Sequence, residues 1–138
     1  MTRRTVLSLA VTPILVGSDS PPATDSVRGT LSQTEDHRPA LKTAEGRTVF
    51  LDGDDGTRAV LDDQRLRGLD LEALGHFTAP DAFHVDPIYQ RAMFIHKDGK
   101  RLFITYWCDV CYIRTYVPGN CRCCQKYTDL DLRENDAQ

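Results

Sequence analysis

All five cysteines of this chain fall within "CDVCYIRTYVPGNCRCC", Cys108 to Cys124, and no other feature narrows the fold as much. Sulfurs gathered into one short stretch of a 138-residue chain cannot staple distant parts of a domain together. Disulfides inside it would close only small loops, each worth on the order of 2 to 3 kcal/mol. An odd count always leaves one cysteine over, and a bridge between the adjacent Cys123 and Cys124 strains both the peptide and the sulfur dihedral. Taken as Cys108, Cys111, Cys121 and Cys124, the residues read C-x2-C-x9-C-x2-C. Each C-x2-C can turn two thiolates toward one point, and two such turns supply the four sulfurs that tetrahedral zinc or iron prefers.

Cys123 is surplus to that set, either a free thiol or a replacement for Cys124. Zinc in a structural role is the expected ion, with iron as an alternative. Copper(I) is a further alternative, since "CRCC" offers three soft ligands in four residues. Two other readings stay open: a disulfide framework, which an oxidising compartment favours, and a redox dithiol. A catalytic dithiol needs a lowered thiol pKa. Asp109 inside the first pair opposes this, while Arg114, Arg122 and Lys126 favour it. No histidine follows either C-x2-C, which excludes a c-type haem.

The stretch before the cysteines reads as a hairpin. "RAMFIH" and "RLFITYW" flank "KDGK", Lys97 to Lys100, and Asp-Gly accommodates the positive φ of a tight turn. The hairpin delivers the first C-x2-C at a strand end, and Pro118 with Gly119 reverses the chain before the second. From Arg91 to Gln125 this arrangement resembles a zinc-ribbon or rubredoxin-like pair of knuckles, which implies one metal held by four thiolates. It differs in its nine-residue spacer, and in Tyr112 and Gln125, which stand where a rubredoxin knuckle commonly has glycine. His96, on the strand entering the hairpin, is either an extra ligand or a packing residue. Tyr106 and Trp107 are placed to shield the cluster from water.

Upstream, Val27 to Gln33, Arg38 to Thr43 and Arg47 to Gly53 read as short strands, with Glu45 and Gly46 in the turn between the last two. "DGDDG", Asp52 to Gly56, is a polar breaker. Thr57 to Gly68 places Val60, Leu61 and Leu66 at near-helical spacing, with Thr57 as N-cap and Gly68 as stop. Alternation resumes from Leu69 to Phe77, and "TAPDA" turns the chain into "FHVDPIY". Three strands, a helix and two strands resemble the order of the five-stranded OB barrel. The expectation is therefore a mainly β chain. An OB-like barrel with one short helix spans residues 27–90, a hairpin and Cys-rich metal module spans 91–128, and a solvated acidic tail spans 129–138.

OB folds often bind oligonucleotides or sugars through exposed aromatics and positive charge. Seventeen basic against twenty acidic residues give a net charge of −3, and the barrel segment offers Phe50, Phe77 and Phe83 with few lysines. No nucleic acid is expected as a partner; the expected partner is another protein. There is no G-x-G-x-x-G, phosphate-binding loop, H-E-x-x-H or nucleophile elbow, so a binding or accessory module is expected rather than an enzyme.

"MTRRTVLSLAVTPILVGSDS" reads as an export signal over residues 1–18, with a small polar linker over 19–26. Its apolar run, Val6 to Val16, is too short to span a bilayer. "TRRTVL" resembles a twin-arginine signal, with Arg3 and Arg4 as the pair, although ordinary secretory signals also carry adjacent arginines. Either route implies a periplasmic or extracellular product with no membrane span in the mature chain. "YWCDVCYIRTYVPGNCRCC" also resembles the C-terminal signature of small, uncharacterised exported bacterial proteins, which brings no activity with it.

Overall fold

Strand periodicity sets the first half of the molecule. In β1 (Asp25–Gln33), Val27 and Leu31 are buried while their neighbours face outward, the two-residue period of a half-buried strand. β2 (Pro39–Lys42) and β3 (Thr48–Asp52) add Leu41, Val49 and Leu51 to the same core. The computed structural model describes residues 24–134. The export signal expected over residues 1–18 lies outside the described residues, as does most of the linker.

The strands close on themselves. β4 (Asp70–Ala79) pairs antiparallel with β1 and with β5 (Ala82–Val85), β5 runs parallel to β3, and β2 joins β1 to β3. The order β1-β2-β3-β5-β4, returning to β1, is a five-stranded barrel with a helix between the third and fourth strands. This matches the OB-like order expected from the sequence. Closure demands a close backbone approach at Gly75, where a Cβ would lie 2.0 Å from the His84 carbonyl oxygen.

The helix differs from the sequence expectation. α1 spans only Asp55–Leu61, capped by Asp54, whose Oδ1 accepts the Thr57 N–H at 2.8 Å. Thr57 is not the cap; it is buried within the helix. The chain leaves α-geometry after Leu61 because Asp63 captures the Arg65 N–H at 3.0 Å and starts a separate 3-10 turn, Gln64–Leu66. Val60, Leu61 and Leu66 still point into the core, so one apolar pattern serves two short elements.

β6 (Met93–Lys97) and β7 (Lys100–Cys108) form the expected hairpin, with Asp98 and Gly99 at φ 54° and 77° in its turn. The hairpin extends the barrel sheet. Asp70–Ala73 of β4 pairs with β1 on one edge and β6 on the other, and β5 takes over that second edge from Gly75. Met93, Ile95, Ile104 and Tyr106 enter the barrel's own core.

β8 (Ile113–Thr115) and β9 (Asp129–Arg133) pair with β7 on opposite edges. β9 corrects the reading of residues 129–138 as a solvated tail. Leu130 and Leu132 alternate with charged residues and pack against the core, so a strand lies beneath an acidic composition. Residues 135–138 lie outside the described residues. Among the described residues no helix is long and apolar enough to cross a membrane.

Candidate metal centre

β7 carries the chain out of the barrel core and ends on Cys108, which pairs with Ile113 of β8. Residues 109–112 are thus the turn of a second, smaller hairpin. Within it the Tyr112 N–H donates to the Cys108 carbonyl at 2.9 Å, and the Cys111 N–H points at the Cys108 Sγ at 3.4 Å.

The second turn repeats this plan. An isolated bridge between Asn120 and Tyr127 closes its stem, the Gln125 N–H donates to the Cys121 carbonyl at 2.9 Å, and the Cys123 N–H points at the Cys121 Sγ at 3.4 Å. In both turns the residue after the last cysteine is left-handed, Tyr112 at φ 55° and Gln125 at φ 67°. These are the positions where the resemblance to rubredoxin leads one to look for glycine. Here side-chain-bearing residues adopt the conformation, at a backbone cost of roughly 1–2 kcal/mol each.

The Sγ atoms of Cys108, Cys111, Cys121 and Cys124 all lie within 4.8 Å of one another, with Cys108 and Cys121 buried and the other two half-buried. A thiolate–metal bond of about 2.3 Å in a tetrahedron puts its sulfurs about 3.8 Å apart, and the Cys108 and Cys124 sulfurs stand 3.5 Å apart. The four cysteines form a group that can hold a metal ion. All five cysteines are free thiols, and 3.5 Å is far longer than the ~2.05 Å of a disulfide.

Electrostatics distinguish the sulfurs. The N–H groups of Cys124 and Cys123 draw the Cys121 thiol down to about 7, which favours the thiolate that a metal needs. Cys111 is pushed the other way, first by its hydrogen-bonding neighbour Cys123 and then by burial. Asp109 and Lys126 form an ion pair at 2.5 Å that ties one turn to the other.

The second turn is also held to the barrel. The Thr128 hydroxyl and N–H both donate to the Gly119 carbonyl, at 2.9 and 3.0 Å. Arg65 reaches across from the 3-10 turn to donate to the Thr128 carbonyl at 3.0 Å. Its guanidinium also grips Asp63, which in turn accepts the Tyr106 hydroxyl at 2.9 Å.

The other candidates separate clearly from this group. Cys123 is exposed and lies outside the set of four sulfurs. His96 is not a ligand: its Nε2 bonds the Glu72 carboxylate at 2.8 Å, on the strand pair β4–β6. Strand pairing turns His96 toward Glu72, so it serves as a packing and hydrogen-bonding residue. Trp107 stacks beside Tyr112 at 5.9 Å and beneath Arg114 at 4.7 Å, flanking the first turn. Sequence reasoning did not find Arg65 and Asp63, which have no local motif. No protein-family model, curated protein or solved structure matches this chain.

Proposed function

We propose that this chain is a small exported protein whose four cysteines hold a structural zinc ion, and that it serves as a binding or accessory module for another protein. The observation that carries this reading is the convergence of four sulfurs from two similarly built turns. Four thiolates leave no open coordination position, which suits a structural ion and not hydrolytic chemistry.

The need for an ion follows from what the turns lack. Val110, Tyr112, Val117 and Tyr127 are all exposed, and beyond the hydrogen bonds within the turns themselves the strand pairing there is a three-residue strand and one bridge. Too little apolar surface is buried there to order the segment, so a metal takes the place of a core. Zinc suits the site because it imposes no geometric preference of its own on four sulfurs that all lie within 4.8 Å of one another.

Export is supported by Arg3 and Arg4 ahead of the apolar run. The twin-arginine route that this signal resembles carries folded proteins, so the ion would be loaded in a reducing cytoplasm and would then protect the thiolates. A protein partner is supported by the aromatic and aliphatic side chains left exposed on the turns, and the net charge of −3 speaks against nucleic acid.

Native mass spectrometry with elemental analysis of protein produced with its own signal tests the reading. The expected result is one bound ion with four thiol protons lost; a metal-free mass lacking four hydrogens would mean two disulfides and would overturn it. The N–H···S contacts favour iron as a second reading, giving an electron-transfer protein. Ferric thiolate is coloured and zinc thiolate is not, so a visible spectrum separates the two.

A further inference from the structure

We propose that Arg65 is the positioning residue of the metal centre: it holds the second cysteine turn at a fixed gap from Cys108, and so sets how tightly the four thiolates grip an ion. This inference rests on the metal-site reading above and adds a determinant that lies outside the cysteine segment.

Every nitrogen of the Arg65 side chain has a partner. Nε and one terminal nitrogen fork onto the Asp63 carboxylate, each at 2.9 Å, and the other terminal nitrogen donates to the Thr128 carbonyl at 3.0 Å. The fork fixes the guanidinium against the barrel, because Asp63 is itself buried and also accepts the Arg65 N–H and the Tyr106 hydroxyl. Arg65 further lies over the rings of Tyr106, at 5.3 Å, and Tyr127, at 5.1 Å. It thus touches both the barrel and the second turn at two points each.

Those contacts fall where they govern the sulfurs. Tyr106 and Cys108 stand two residues apart on β7, so they share one side of the strand, and both are buried. Tyr127 and Thr128 belong to the stem of the second turn, Tyr127 through its bridge to Asn120 and Thr128 through two bonds to Gly119. Cys121 and Cys124 lie between those stem residues. Arg65 therefore joins the strand face that presents Cys108 to the base of the turn that presents Cys124, and these two sulfurs stand 3.5 Å apart across the gap. The Asp109–Lys126 ion pair also joins the turns, but both of its side chains are open to solvent, which weakens it.

A site whose ligands already stand at the right separation loses less binding energy to ordering of the chain. The charge of Arg65 is matched by Asp63, so its effect on the ion is one of geometry. Lysine at this position keeps the charge, but a single ammonium cannot hold a carboxylate in a fork and reach a carbonyl on the far side.

The test uses full-length protein loaded with zinc(II) or cobalt(II), beside its Arg65→Met, Arg65→Lys and Arg28→Met variants. Arg28 makes the same kind of fork onto Asp70, between β1 and β4, and controls for the loss of an ion pair from the barrel. Competition with a chromophoric chelator gives the affinity, the cobalt(II) d–d bands report tetrahedral thiolate geometry, and circular dichroism of the metal-free proteins reports the barrel. Both Arg65 variants should bind about 10- to 100-fold more weakly, with altered cobalt(II) bands and an unchanged barrel signal, while Arg28→Met matches wild type. Should Arg65→Met fail to fold, Arg65→Lys decides, since it keeps a cation beside Asp63. Wild-type affinity and bands in Arg65→Lys would overturn this inference, and so would an equal weakening in Arg28→Met; either result leaves the metal site standing. Failure of the wild-type protein to bind zinc(II) or cobalt(II) would bring down the metal-site reading, and this inference with it.

Discussion

Asp63 brings a charge into the interior, its side chain only 4% exposed, and is met by a guanidinium fork and N–H from Arg65 and by the Tyr106 hydroxyl. Burial alone would push its carboxyl up, but the Arg65 bonds and the Tyr106 hydroxyl outweigh burial and hold it below the ordinary range. A depressed carboxylate stabilises the fold above its unfolded value of about 3.9, and that contribution is lost as pH falls through the lower folded value. Urea midpoints measured from pH 7 downward should therefore fall below about pH 4, and Asp63→Asn should flatten that decline while lowering the midpoint at pH 7. Tyr106→Phe, which removes one partner of a buried charge, should cost about 1–3 kcal/mol at pH 7 in the same assay. None of this was legible in the sequence, because Asp63 and Tyr106 are 43 residues apart and meet only when β7 crosses the 3-10 turn. Cys108 and Cys111, by contrast, stand three residues apart and announce themselves locally.

The two cysteine turns are elements whose hydrogen-bond plan survives without glycine, and this makes them testable as elements. Gln125→Gly relieves a left-handed backbone at φ 67° but adds disorder to the unfolded chain; a net gain of up to about 1 kcal/mol is expected. The measurement is the thermal midpoint of the metal-loaded protein, and a loss of stability would show that the Gln125 side chain matters more than its backbone. Removing the ion should loosen these turns before it touches the barrel. Trp107, the chain's one tryptophan, packs against Tyr112 of the first turn. Chelation should shift its emission while far-ultraviolet circular dichroism keeps the barrel's strand signal. Simultaneous loss of both signals would mean that the barrel cannot stand without the ion. Element type was largely readable from periodicity, but β9 was not, since "DLDLR" hides two core leucines among charges. The end of α1 was misread for a related reason, because Asp63 diverts a backbone donor without disturbing the apolar spacing.

On the scale of the whole molecule, barrel and hairpin share one core. Ile95 belongs to the hairpin, is fully buried, and packs in the cluster that holds Leu71 and Phe83. Ile95→Ala should lower stability by about 2–5 kcal/mol in a single transition seen alike by Trp107 emission and by circular dichroism. Two separate transitions would mean that the hairpin folds as an independent unit. Gly75→Ala should cost about 3 kcal/mol through the clash at barrel closure, read as a fall in the urea midpoint. The sequence shows the succession of strands but not this union, because the alternation in β4 looks the same whether its second edge serves one partner or two. There is also a mechanical consequence. The nine residues of β7 form a rod about 27 Å long, seated in the barrel through Ile104 and Tyr106, braced by β6 and β9, and tipped with Cys108. A pull applied at the sulfurs is taken up as shear across two rows of backbone hydrogen bonds instead of unzipping them one by one, so the site stands like a masthead on a stayed mast and swings only when the hull does.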